Sequence, residues 1–203
     1  MLDKDLIIFD VETSGKDPRT CSIIQLGAVQ FLKTGHLTSE RFSIHIKPYT
    51  SVWEEEAQKI HKISETWLSR VGFDLGMGLI AFQNWIEKLG YECKDFYLAM
   101  WSNGFDTECL KKAYNYCGKY PFNYKSYDIA SFVRLYLGGY GMLPMKKPSL
   151  VKCCNILNVI PFTPSHDALV DAINTAKLLQ FVYNKIRLSR NKDELDKSIL
   201  NRV

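Results

Sequence analysis

Residues 5–12 read Asp-Leu-Ile-Ile-Phe-Asp-Val-Glu, an apolar run that ends in two carboxylates separated by one valine. A continuous, β-rich apolar run without alternation predicts a strand buried on both faces, over residues 5–11. Positions i and i+2 of a strand share a face, so Asp10 and Glu12 point the same way at its end. Two like charges placed there are costly. A divalent cation offsets that cost, and Mg²⁺ prefers carboxylate oxygens. Alone, Asp-x-Glu is a weak signal, since it recurs at Asp106-Thr107-Glu108, where a helix would separate the two side chains.

Thr13-Ser14-Gly15-Lys16-Asp17-Pro18 concentrates turn formers and reads as a loop. Further strands are predicted over residues 22–31, 41–47 and 96–101, with a brief edge strand at 125–128. The turn at Lys33-Thr34-Gly35-His36 is short enough for a hairpin. Helices are predicted over 54–68, 79–89, about 106–116, from an Asp128 cap to 137, over 149–157, and from His166 to about 186. Gly138-Gly139-Tyr140-Gly141 should open a loop that ends at Pro144 and Pro148. Strands first, then alternating helices and strands, give an α/β domain with a mixed sheet. That domain is expected over residues 1–188, with 189–203 as a charged tail.

Composition narrows the class. With 203 residues, 46% hydrophobic and 24% charged, the chain has the balance of one ordinary globular domain. Apolar runs such as 6–9 fall far short of the roughly 18–20 residues of a membrane span. Asp3 and Asp5 interrupt any secretory signal, so a cytoplasmic protein without membrane contact is expected. The six cysteines show no CxxC pair and no zinc-ligand spacing, and are expected to be buried free thiols. A net charge of +4 permits a nucleic-acid ligand without demanding one.

Three other segments carry chemistry-bearing residues. Trp101-Ser102-Asn103-Gly104-Phe105-Asp106 puts a carboxylate where a strand hands over to a helix, as a ligand or as a plain helix cap. Ser165-His166-Asp167-Ala168-Leu169-Val170-Asp171 puts a histidine at a helix start and an acid five residues on, as a site or as a solvated capping box. Ala57-Gln58-Lys59-Ile60-His61-Lys62-Ile63-Ser64 follows the third strand.

In this order the segments resemble the DnaQ-like, DEDDh-type 3′–5′ exonucleases, which share the ribonuclease H-like fold. Phe9-Asp10-Val11-Glu12-Thr13 is similar to the family's Asp-x-Glu-Thr motif. Asn103-Gly104-Phe105-Asp106 and His166-Asp167-Ala168-Leu169-Val170-Asp171-Ala172 are similar to its second and third motifs. The family's Ala-x-x-Ile-His-x-Ile element is matched by Ala57, Ile60, His61 and Ile63. The likeness covers about residues 5–185 and implies a mixed sheet of about five strands flanked by helices.

It also implies roles. Asp10, Glu12, Asp106 and Asp171 would hold two Mg²⁺ or Mn²⁺ ions, which stabilise both ends of an in-line displacement at phosphorus from about 3.5–4 Å apart. His166 would be the general base, a task that suits imidazole near neutral pH. Thr13 and Ser14 would contact the terminal nucleotide, His61 would line the base pocket, and Asn103 and Phe105 would help bind substrate. Lys146 and Lys147, beside a Gly/Pro loop, are expected to meet phosphates. The lysines and aromatics of residues 111–127 could track a strand, or could pack a helix and loop on the core. Asp128 is expected to be a helix cap and Asp167 to face solvent, so neither joins the site.

The implied partner is a nucleic acid with a free 3′ end, single-stranded DNA first and RNA as the alternative. An endonuclease of the same fold and a catalytically silent nucleic-acid-binding module are the rival readings. Two departures from the family pattern stand out: Lys62 replaces the usual Gly after the histidine, and Trp101-Ser102 stands where many members carry a His.

Overall fold

The opening run forms strand β1 (Asp5–Thr13), the centre of a five-stranded mixed sheet of order β3-β2-β1-β4-β5. In the computed structural model, residues 2–102, 104–118, 121–122, 125–142, 149–159 and 166–200 are described, with side chains through Ser189. β2 (Ile23–Leu32) and β3 (His36–His45) run antiparallel on one side of β1. β4 (Phe96–Met100) and β5 (Ser126–Asp128) run parallel on the other.

Period-two geometry splits β1 between two cores. Ile7, Phe9 and Val11 pack with α3 (Leu75–Lys88) and α4 (Phe105–Cys117). Leu6 and Ile8 pack on the other face with α5 (Ile129–Gly139), α6 (Leu150–Leu157) and α7 (Ala168–Leu200). Asp10 and Glu12 continue the Leu6–Ile8 column, so the carboxylates stand where one core gives out at the strand end.

The predicted helix over 54–68 is two helices, α1 (Glu55–His61) and α2 (Glu65–Val71). Lys62 ends α1 in the left-handed region, φ 61°, with its N–H on Gln58 O at 2.7 Å. Ser64 then caps α2 by accepting from Trp67 N. Lys62 thus adopts the conformation for which glycine is favoured at a helix end. Strand β3 starts earlier than the predicted 41–47, because the tight turn, with Gly35 N on Leu32 O at 2.8 Å, brings pairing in from His36.

The helix predicted from His166 begins at Ala168, and His166 sits ahead of it with φ 42°. Helix α7 runs through position 188, where the tail was expected to begin, and extends to Leu200. Gly138 and Gly139 form the last turn of α5 rather than a loop. Asp128 and Ser149 cap α5 and α6 as expected. All six cysteines are free thiols, but only four are buried; Cys93 is half-buried and Cys117 exposed. Tyr114 and Phe122 pack in the core, so part of the aromatic set in 111–127 is structural. Among the described residues, no helix is long and apolar enough to cross a membrane.

Candidate active site

Three arms converge at the end of β1. The first is β1 itself, carrying Asp10 and a Glu12 that is only 9% exposed. Beyond them the chain is pinned: Thr13 Oγ1 donates to Gly15 O at 2.8 Å, Ser14 N to Ser22 O at 2.9 Å, and Glu54 N to Ser14 O at 2.8 Å. The second arm is the N-terminus of α4. Parallel pairing between β1 and β4 stops at Ile8 and Ala99. Past that point Val11 N is bonded by a side chain instead of a strand, donating to Asp106 Oδ1 at 3.2 Å. A buried N–H needs such a partner, and the bond brings Asp106 beside Asp10.

Helix α7 is the third arm. Gly27 pairs across the ladder with Asp10 and Gln25 with Glu12. A Cβ on Gly27 would stand 2.2 Å from Leu169 N, so only glycine lets the helix start this close to the sheet. Gln25 Nε2 donates to Asp167 Oδ2 at 2.9 Å, and Ala168 N donates to Gln25 Oε1 at 3.2 Å. As a result, ligand atoms of Glu12, His166 and Asp171 all lie within 4.8 Å of one another.

Asp167 does not face solvent as the sequence reading expected. It is half-buried, caps α7 through Val170 N at 3.1 Å and bonds Gln25. Gln25, Gly27 and Asp167 are site-shaping residues that motif reading missed. Gly27 and Gln25 inside a mostly apolar, buried strand were the available signal.

The electrostatics follow from this crowding. Burial, followed by the charges of Asp106, Asp171, Glu12 and Asp167, holds the Asp10 carboxyl well above its usual range. Burial and the Asp171, Asp106 and Asp167 charges push Glu12 up to about 8. Asp106 is raised to about 6 by burial, although the Val11 N–H works against the rise. Burial also raises Asp171, while His166 and Asn174 oppose it. A cluster that resists ionising alone is stabilised by a cation, and a hard oxygen-rich donor set suits a divalent ion such as Mg²⁺ or Mn²⁺. The residues therefore fit a metal centre.

Beside the carboxylates lies a cavity of about 260 Å³ lined by Glu12, Thr13, Lys16, Ile60, His61 and Phe105. Its histidine is oriented: His61 Nδ1 accepts from Ile63 N at 3.0 Å. Nε2 is buried without a hydrogen-bond partner among the described residues. Burial and nearby His166 lower its pKa, favouring the neutral ring. Ser14 is buried and does not line the cavity. Asn103, Lys146 and Lys147 lie outside the described residues.

A mixed five-stranded sheet flanked by helices, with acids from β1, α4 and α7 at the end of its central strand, is a ribonuclease H-like fold carrying an acidic, metal-type centre. The chain belongs to the exonuclease family (RNase_T), whose pattern it matches over residues 7–179, and is DnaQ-like and DEDDh in type. The fold recurs in cell-death related nuclease 4, with TM-score 0.73 and 18% identity, covering 90% of this chain and 64% of that one. It recurs in E. coli exonuclease I, solved zinc-bound with single-stranded DNA, with TM-score 0.73 and 21% identity, covering 97% of this chain and 43% of that one. The nuclease domain of 3′hExo, a DEDDh family member bound to rAMP, gives TM-score 0.73 and 16% identity, covering 90% and 92%. Identities this low show the fold alone. The chain spans less than two thirds of the first of these proteins and less than half of the second. No curated protein sequence matches it.

Proposed function

We propose that this chain is a metal-dependent 3′–5′ exonuclease that removes nucleotides from the 3′ end of single-stranded DNA. The observation that carries the reading is the convergence of Glu12, His166 and Asp171 within 4.8 Å, next to the cavity lined by His61 and Phe105. Asp10, Glu12, Asp106 and Asp171 would hold two Mg²⁺ or Mn²⁺ ions. Bound there, such ions would supply positive charge to balance the negative charge that develops on the phosphoryl oxygens and would make water more acidic.

The remaining work falls to the protein. His166, exposed at the mouth of the cluster, takes a proton from the attacking water on a ring nitrogen. His61, with Nε2–H as its free donor, and Phe105 and Thr13 orient the terminal nucleotide, with the pinned Thr13–Ser14 backbone beneath it. Asn103 assists substrate binding, and Lys146 and Lys147 meet phosphates further along the strand. The catalytic unit in this reading is residues 1–188, with 189–203 as an appendage. Its free thiols fit a reducing compartment such as the cytoplasm.

DNA is favoured because exonuclease I, the relative with 21% identity, was solved with single-stranded DNA. RNA is the second reading, supported by 3′hExo with rAMP and by a 3′-exonuclease recognising a histone mRNA stem-loop. The test is a time course on 5′-labelled DNA and RNA strands of one sequence, and on circular single strands, with Mn²⁺ or EDTA. A ladder shortening from the 3′ end, intact circles, faster loss of DNA and silence in EDTA are expected. Cleavage of circles, or activity that survives chelation, overturns the reading; faster loss of RNA moves the substrate to RNA.

A further inference from the structure

Among the described residues, the first turn of the third arm is hydrogen-bonded to the sheet through one side chain. We infer that Gln25 is a positioning residue: its amide clamps the first turn of α7 to β2 and so sets His166 and Asp171 against Glu12. What the clamp serves rests on the nuclease reading; the clamp itself rests on hydrogen bonds. Gln25 is 1% exposed, and burying an amide is costly unless both its ends are bonded. Both are, and to the same turn: Nε2 donates to Asp167 Oδ2 at 2.9 Å and Oε1 accepts from Ala168 N at 3.2 Å.

The two targets lie between the residues that matter. Ala168 N is one of the N–H groups that a helix start leaves without an intrahelical partner. Asp167 is the α7 cap, with Oδ1 on Val170 N at 3.1 Å, and its carbonyl accepts from Asp171 N at 2.9 Å. Holding residue 167 therefore fixes His166 on one side and Asp171 on the other. The clamp starts opposite Glu12 in the ladder, where the register shifts between Glu12 and Thr13. Such irregularities re-aim side chains at a strand end. One residue thereby references the third arm to the first. It also ties Asp167 down at both oxygens, one to the strand and one to the helix.

A residue that merely fills space makes different predictions, and a charge-relocating pair separates the two. Gln25→Leu keeps the volume and removes both bonds. Gln25→Glu keeps the acceptor for Ala168 N but sets two carboxylates face to face. Asp167→Asn sets two amides in conflict. Gln25→Glu combined with Asp167→Asn restores the pattern with donor and acceptor exchanged. The amide then at position 167 donates to the carboxylate then at position 25, and its oxygen still accepts from Val170 N. Each single variant should lose roughly 10–100-fold in Mn²⁺ affinity, read by electron paramagnetic resonance, and in kcat, with KM moving far less. Amide exchange at Val170 and Asp171 should accelerate in the singles. The double variant should recover all three readouts.

Parent-like Mn²⁺ affinity and exchange in Gln25→Leu overturn the clamp, as does a double variant no better than Gln25→Glu. A parent protein that degrades no nucleic acid sinks the nuclease reading instead, and leaves Mn²⁺ binding and exchange to judge the clamp.

Discussion

Burial, and after it the Asp171, Asp106 and Asp167 charges, lifts Glu12 to about 8, so at pH 7 and without metal its protonated form is favoured. Binding a cation must expel that proton, so Mn²⁺ affinity should climb between pH 6 and pH 8.5 with net proton release. Calorimetry in two buffers of different ionisation enthalpy measures the release; no buffer dependence would mean that Glu12 is already ionised. His166 stands in the same cluster as Glu12 and Asp171, and its role separates cleanly from theirs. As the proposed general base it would supply roughly 10²–10⁴-fold in rate. His166→Ala should therefore lose that factor and keep parent Mn²⁺ affinity, whereas Glu12→Gln should lose both. Loss of Mn²⁺ affinity in His166→Ala would make the imidazole a ligand.

The elements show how close packing at two glycine-type positions builds the site. Gly27→Ala puts a methyl 2.2 Å from the backbone of α7, and overpacking of this kind costs about 1–3 kcal/mol. A lower melting temperature together with weaker Mn²⁺ binding is expected, since the helix start carries Asp171; unchanged values would show that α7 docks with slack. Lys62 is the reverse case, a β-carbon in left-handed backbone. Lys62→Gly should raise stability by a few tenths to about 1 kcal/mol, the relief of a strained φ less the entropy glycine adds to the unfolded chain. Denaturant titration at matched m-value reads it.

Particular residues mark what sequence could and could not tell. Asp10 and Glu12 were legible as a same-face pair because positions i and i+2 of a strand share a face. Asp106, His166 and Asp171 stood out only through the likeness of their segments to the exonuclease motifs. The break at Lys62 had its signal in the resemblance, where a glycine is usual at that position, but the lysine side chain does not itself advertise a left-handed backbone angle. The Gln25–Asp167 bond was equally hidden, since it spans residues 142 positions apart. Asp167 consequently read as a solvated surface acid.

For the whole molecule, the acidic cluster couples stability to pH and to metal. The ordinary pKa values, 4.5 for Glu12 and 3.8 for Asp106, rise to about 8 and about 6 on folding, and Asp10 and Asp171 also rise. Between about pH 4 and pH 8 the folded state thus binds more protons than the unfolded chain, and the sign of linkage makes stability fall as pH rises. The contribution is fully present below the unfolded values; the Asp106 share is lost as pH rises through about 6 and the Glu12 share as it rises through about 8. Cations reverse the slope, because they bind the ionised folded form alone and add RT ln(1 + [L]/Kd), about 2.7 kcal/mol at a hundredfold excess over Kd. In EDTA the melting temperature should therefore drop from pH 5 to pH 8.5, and with saturating Mn²⁺ the gap between the two curves should widen steadily with pH. In Glu12→Gln, which removes the most displaced of the quantified acids, the EDTA curve should flatten and lie above the parent at pH 8. A parent curve in EDTA that rises over this range would show that burial and like charge do not hold these four carboxyls protonated in the folded chain.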